Sequence, residues 1–249
     1  MKRLVLCILL AALPAKAGNG PVSGYEFLLP ETRALQDDDF ANPGMLWVET
    51  GQRLWEEVPA ATPSCGGCHG EPSAMRGVGT RYPQWSEREQ RVISLEQRIN
   101  LCRTGNQKSQ PLPFESEGLL GLTALVMHQS RGLPMNVATD GPAAAAYARG
   151  ESYYNTRRGQ LNLACANCHV EHVGDRLRGE TISQGQVNGF PIYRQLWQTM
   201  GSVSRMIGWC NDAVRASRVE PGSQQAVDIE LYLRARGDGL VIETPAVRR

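Results

Sequence analysis

The chain has 249 residues, 26 basic against 25 acidic side chains, and only 6% aromatic residues. So even a balance argues against nucleic acid as a partner and against a basic membrane-binding patch. With 26 glycines and 15 prolines among so few rings, the chain is expected to need something besides its own side chains to organise a core.

The first segment, MKRLVLCILLAALPAKA, pairs Lys2 and Arg3 with a short apolar run and an Ala15-Lys16-Ala17 end. That is the pattern of a secretory signal, residues 1–17, cleaved near Ala17. The run is shorter than the roughly 20 residues that cross a bilayer, and no later segment replaces it. The mature protein is therefore expected to be exported and not membrane-spanning. Without Lys2, Arg3 and Lys16, 23 basic side chains face 25 acidic ones. Cys7 leaves with the signal, and six cysteines remain: Cys65, Cys68, Cys102, Cys165, Cys168 and Cys210.

A helix through Gly51-Gln-Arg-Leu-Trp55 leads to the string CGGCH, Cys65 to His69. A second helix through Gly150-Glu-Ser-Tyr-Tyr154 leads to CANCH, Cys165 to His169. In Cys-x-x-Cys-His two thiols add to the vinyl groups of haem and the histidine ligates iron. Two copies in an exported chain predict two haem c groups. Cys65, Cys68 and His69 would hold the first, and Cys165, Cys168 and His169 the second. A disulfide framework and a zinc site are the competing readings of the cysteines.

More than the string repeats. Tyr82-Pro83-Gln84-Trp85 follows the first copy, and Phe190-Pro191-Ile192-Tyr193 the second. Pro83 to Cys102 and Pro191 to Cys210 are both 19 residues apart. Each half is expected to continue with a helical piece bearing the lone cysteine and to close on an amphipathic helix, Ser116 to Gln129 and Ser223 to Arg236. Gly132 to Ala143, rich in Gly and Pro, reads as the linker. The prediction is a mainly α fold of two cytochrome-c-like domains related by internal duplication: residues 18–138 around haem 1 and 139–249 around haem 2.

The matched positions of Cys102 and Cys210 make each the candidate distal ligand of its own haem. A buried structural cysteine and a Cys102–Cys210 disulfide are the alternatives. Met75, Met135, Met200 and Met206 are rival ligands, yet none recurs at matching positions. His128 and His172 read as surface or supporting groups. Arg205, Arg215 and Arg218 flank Cys210, beside Asp212 and Glu220, and arginine forks suit tetrahedral anions. A solvated helix face explains the same arginines.

QLNLACANCH, ETISQGQVNGFPIYRQLWQTMGS, WCNDAVRA and LYLRARGDGL resemble the SoxA family, haem subunits of the thiosulfate-oxidising SoxAX cytochromes. CGGCH, INLCRTGNQ and ALVMHQSRGLPMNV resemble its two-haem form, and the likeness covers nearly the whole mature chain. The resemblance implies a periplasmic L-cysteine S-thiosulfotransferase subunit. It would work with a SoxX-type monohaem cytochrome, couple thiosulfate to a cysteine of a SoxYZ-type carrier, and pass electrons to an accepting cytochrome c. It also implies that Cys102 ligates the first haem and that Cys210, often carried as a persulfide, is the reactive ligand of the second. The family places an arginine four residues before the reactive cysteine; here Met206 stands there and Arg205 one step earlier, so Arg205 is the candidate substrate-binding residue. A plain dihaem electron carrier is the alternative function.

Overall fold

The computed structural model describes residues 20–58 and 62–249; the expected signal, residues 1–17, lies outside them. Helix α1 (Pro30–Asp37) opens the chain, and α2 (Met45–Glu56) leads to α3 (Cys65–His69). The hairpin β1 (Gln84–Ser86) and β2 (Arg91–Ile93) follows, then α4 (Leu95–Gly105) with Cys102, and α5 (Glu117–His128). Next come α6 (Ala144–Asn155) and a single π-helical turn, Asn167–Glu171, bearing Cys168 and His169. The short hairpin β3 (Arg176–Leu177) and β4 (Glu180–Thr181) precedes β5 (Ile192–Arg194) and β6 (Thr199–Gly201). Helix α7 (Val203–Ala213) carries Cys210, α8 (Gln224–Arg236) follows, and β7 (Ala246–Arg248) ends the chain. Strands β6, β5 and β7 form one sheet, with β7 parallel to β5.

The helices start where serine can cap them. Ser94, Ser116, Ser202 and Ser223 each accept a hydrogen bond from the backbone N–H three residues on, satisfying a donor the helix cannot. At α4 the cap is reciprocal, because Gln97 reaches back to the Ser94 N–H.

Helix α2 packs along α5, and α6 along α8. Both pairs approach backbone to backbone, and both need glycine to do so. A Cβ on Gly51 would lie 2.2 Å from the Gly121 carbonyl oxygen, and one on Gly150 would lie 2.1 Å from that of Asp228. The closing helices are not amphipathic as the sequence suggests. Leu119 to Met127 in α5 and Ala226 to Tyr232 in α8 are buried without interruption, because each helix is covered on its far side as well. Met200, Leu240 and Ile242 from the C-terminal half join Trp55, Leu120, Leu125 and Met127 in one apolar cluster.

The expected linker is not loose. Gly132 N–H donates to Ile242 O and Met135 N–H to Leu240 O, both at 2.9 Å, and Met135 is buried. The N-terminal residues also cross over. The Gln36 side chain accepts from the Val247 N–H at 3.0 Å, and Asn42 donates to Pro245 O at 2.9 Å.

Candidate functional site

The first string forms one tight helical turn. Ser64 caps it by accepting from the Gly67 N–H at 2.9 Å, and Gly70 ends it at φ 72°. The indole N–H of Trp55 donates to Gly70 O at 2.9 Å, and its ring lies 5.9 Å from that of His69. Cys68 and His69 are exposed and Cys65 is half-buried. Burial pushes the Cys65 thiol up, against a pull from the Gln107 amide 3.7 Å from its sulfur. Cys102 lies within electrostatic range of both Cys65 and Tyr82. The fold therefore carries this lone cysteine to its own half's string.

The second string is braced. Asn167 accepts from the Ala164 N–H at 2.9 Å and donates to Glu171 at 2.8 Å, tying the turn on both sides. His169 Nδ1 lies 2.8 Å from Ser183 O, which makes Nδ1 the protonated nitrogen and leaves Nε2 free as a donor to metal. Gly185, at φ 69°, is pressed on the ring; a Cβ there would stand 2.8 Å from His169 Cγ. Burial lowers the His169 pKa, so the ring is held neutral, the form a metal needs.

Cys210, on α7, comes within electrostatic reach of that string. Burial pushes its thiol up to about 12, Cys165 and Cys168 push in the same direction, and Arg194 opposes them. Arg194 is fixed on β5: its guanidinium carbon lies 5.5 Å from the Trp197 ring centre and 5.6 Å from that of Trp209. Its Nη2 pairs with Glu180 at 3.4 Å, while its Nε is buried without a partner.

The other arginines are engaged elsewhere. Arg205 lies over Trp197 at 4.5 Å and donates to Met200 O at 3.3 Å. Arg215 reaches Gln160, and Arg218 pairs with Asp212. With Arg158, which meets Cys165 Sγ at 3.6 Å, Arg215 and Arg218 line an open groove of about 510 Å3.

The rival ligands are otherwise placed. Met135 and Met200 are sealed in the core, Met206 packs against the cluster of Val187, Phe190 and Ile192, and Met75 packs on the first half's apolar cluster. His128 Nδ1 lies 3.3 Å from Thr244 O, and His172 pairs with Asp175. All six described cysteines are free thiols, with no Cys102–Cys210 bridge. Among the described residues no group of three or more His, Cys, Asp or Glu side chains is arranged to hold a metal ion. The donor set instead fits covalent haem c: paired free thiols, an adjacent imidazole anchored through Nδ1, and a further sulfur nearby.

The SoxA/TsdA cytochrome c domain family matches residues 50–135. The L-cysteine S-thiosulfotransferase subunit SoxA of Pseudaminobacter salicylatoxidans is 40% identical, over 92% of this chain and 81% of its own length. That of Rhodovulum sulfidophilum is 38% identical, over 91% and 79%. The crystal structure of SoxXA from P. pantotrophus superposes with a TM-score of 0.89 at 35% identity, covering 92% of this chain and 87% of that one.

The chain belongs to the SoxA family. Its cytochrome c character and mainly helical fold accord with that membership, and among the described residues no helix is long and apolar enough to cross a membrane. Within this SoxA fold the sequence alone did not single out Arg194 or Arg158. A usable signal existed for Arg194: at the matching place after the first string, counted from Pro83, stands Ser86, so the second half gains a cation there.

Proposed function

We propose that this chain is the dihaem catalytic subunit of an L-cysteine S-thiosulfotransferase, built as two cytochrome-c-like units, residues 18–138 and 139–249. Cys65 and Cys68 would hold haem 1, with His69 and Cys102 as axial ligands. Cys165 and Cys168 would hold haem 2, with His169 and Cys210. The glycine-mediated pairing of α2 with α5, repeated by α6 with α8, supports the duplication. Export to the periplasm, a SoxX-type partner, a SoxYZ-type carrier and an accepting cytochrome c follow from the family and from the first 17 residues.

The overall chemistry joins a carrier thiol to thiosulfate, forming one S–S bond and releasing one proton and two electrons. Bound haem c supplies one-electron acceptance beside the sulfur. The chain's own residues do the rest. Ser183 O fixes the His169 imidazole in one tautomer, and Gly185 lets the backbone close on its ring. Arg194, held beside the Trp197–Trp209 pair, keeps a permanent positive charge within reach of Cys210, favouring its thiolate and an arriving anion alike. Sulfur exchange needs a thiolate, and the Cys210 sulfur is the group that would accept the sulfane unit and yield it to the carrier cysteine.

The observation that carries this reading is that Cys210 lies within electrostatic reach of Cys165, Cys168 and Arg194. The test is axial-ligand spectroscopy and carrier conjugation measured side by side in Cys102→Ala and Cys210→Ala proteins. Each variant should change the ligation of one haem only, and Cys210→Ala alone should abolish conjugation. A Cys210→Ala protein with full conjugating activity would leave a plain electron carrier.

A further inference from the structure

One buried charged cluster has no part in that chemistry, and it lies where the two halves meet. A cavity of about 10 Å3 is lined by Tyr82, Glu96, Thr123, Ser202, Glu230 and Arg234, room for about one water molecule. Glu96, Glu230 and Arg234 are 9%, 7% and 4% exposed. Arg234 donates to Glu230 Oε1 at 3.4 Å and to Met135 Sδ at 3.6 Å, and its Nε is buried without a partner.

At the rim, half-buried Glu115 accepts from the Ser202 hydroxyl and backbone N–H, with Arg205 as its nearby cation. Exposed Arg98 acts on Tyr82 from α4, and Cys102 acts on the same phenol. Three carboxyls therefore face three guanidiniums, Arg98 exposed among them, and in the sealed centre two carboxyls face one. An uncompensated charge in such a place is costly, and a carboxyl there neutralises by keeping its proton. Burial and Glu96 both act on Glu230 in that direction.

The position gives the proton a use. Glu96 stands at the start of α4, six residues before Cys102, and Ser202 caps α7, eight residues before Cys210. At about 1.5 Å per residue Glu96 lies roughly 9 Å along α4 from Cys102, short enough for its charge to sense one there, and Cys102 already acts on Tyr82 of the cavity lining.

We propose that the Glu96–Glu230–Arg234 cluster is a proton-binding site linked to the electron load of the first haem centre, on the Cys102 side. It rests on reading the two strings as haem sites. Arrival of one electron at that centre raises the proton affinity of the Glu230 carboxylate, which takes up one proton from solvent, and departure of the electron returns it. The linkage operates above neutral pH, where the oxidised protein begins to release that proton.

Infrared spectra of the intact two-haem protein, oxidised and reduced, from pH 6 to 9.5, read the protonated carboxyl directly. A carboxylic acid band should be present at pH 7 and should be lost with rising pH earlier in the oxidised protein than in the reduced one. Glu230→Gln should remove the band and flatten the pH dependence of the first haem's potential. Glu96→Gln, which removes the neighbouring charge, should move the loss to lower pH, and it serves as an independent reading if the first variant folds poorly. A band that survives Glu230→Gln, or one lost at the same pH in both redox states, overturns the proposal. Protein lacking covalent haem would overturn the haem reading instead, leaving the carboxyl band in place.

Discussion

The two Cys-x-x-Cys-His strings share a pattern and differ in almost everything around it. The first is an α-helical turn whose histidine is exposed, with the tilted ring of Trp55 beside it. The second is a π turn tied by Asn167, its histidine anchored by Ser183 and roofed by Gly185. Where the first half has Ser86, the second has Arg194. The motif specifies attachment; the residues that come to it from elsewhere specify what the sulfur above it can do. The same contrast bears on Cys102 on α4 and Cys210 on α7: Arg194, held by two indoles and Glu180, acts on Cys210.

The sharpest way to break this contrast is to exchange the two cysteines' fates. Cys210→Ala should lower carrier conjugation by at least about a thousandfold, the scale of losing a nucleophile, while Cys102→Ala should keep activity within about tenfold. Equal losses in a steady-state conjugation assay would erase the distinction. Glycine substitution probes the scaffold both halves share. Gly51→Ala and Gly150→Ala each drive a methyl into a backbone carbonyl, and each should cost about 1–3 kcal/mol or more in denaturant unfolding. A loss at one site alone would argue against equivalent packing.

These particulars also separate what was legible in the sequence from what was not. The strings, the lone cysteines and the closing helices were readable because each depends on residues near in sequence: fixed spacings, serine caps, apolar runs. Arg194 was not, because a strand and a turn separate it from Cys210, on which it acts. Glu96 and Glu230 were hidden for the same reason, lying on helices α4 and α8 of opposite halves. The segment from Gly132 has the composition of a linker, but its N–H groups find carbonyls at 240 and 242, partners no local pattern reveals. Residues 20–44 likewise reach across to β7, so the fold is more interlocked than a boundary near residue 138 suggests.

Smaller effects refine the comparison. Arg194→Gln should change the spectrum of the second haem and leave the first untouched, with about a tenfold loss of conjugation, the equivalent of about 1.4 kcal/mol. Arg194→Lys should recover part of it by restoring charge without the planar fork. A change at the first haem would place the arginine's influence elsewhere. The smallest expected effect is on pH dependence. Glu230 and Glu115 both have pKa values raised by burial, so the folded chain binds more protons than the unfolded one above the ordinary glutamate value of about 4.3. Stability should therefore fall as pH rises from there to the raised values. Denaturation midpoints measured against pH should show this decline, and Glu230→Gln should flatten it.

The most direct test is to locate transferred sulfur on the protein itself. Protein quenched during turnover with thiosulfate and carrier, then digested and read by mass spectrometry, should carry an added sulfur or thiosulfate on the Cys210 peptide and none on the Cys102 peptide. Added mass on Cys102, or on neither cysteine while conjugation proceeds, would contradict the account.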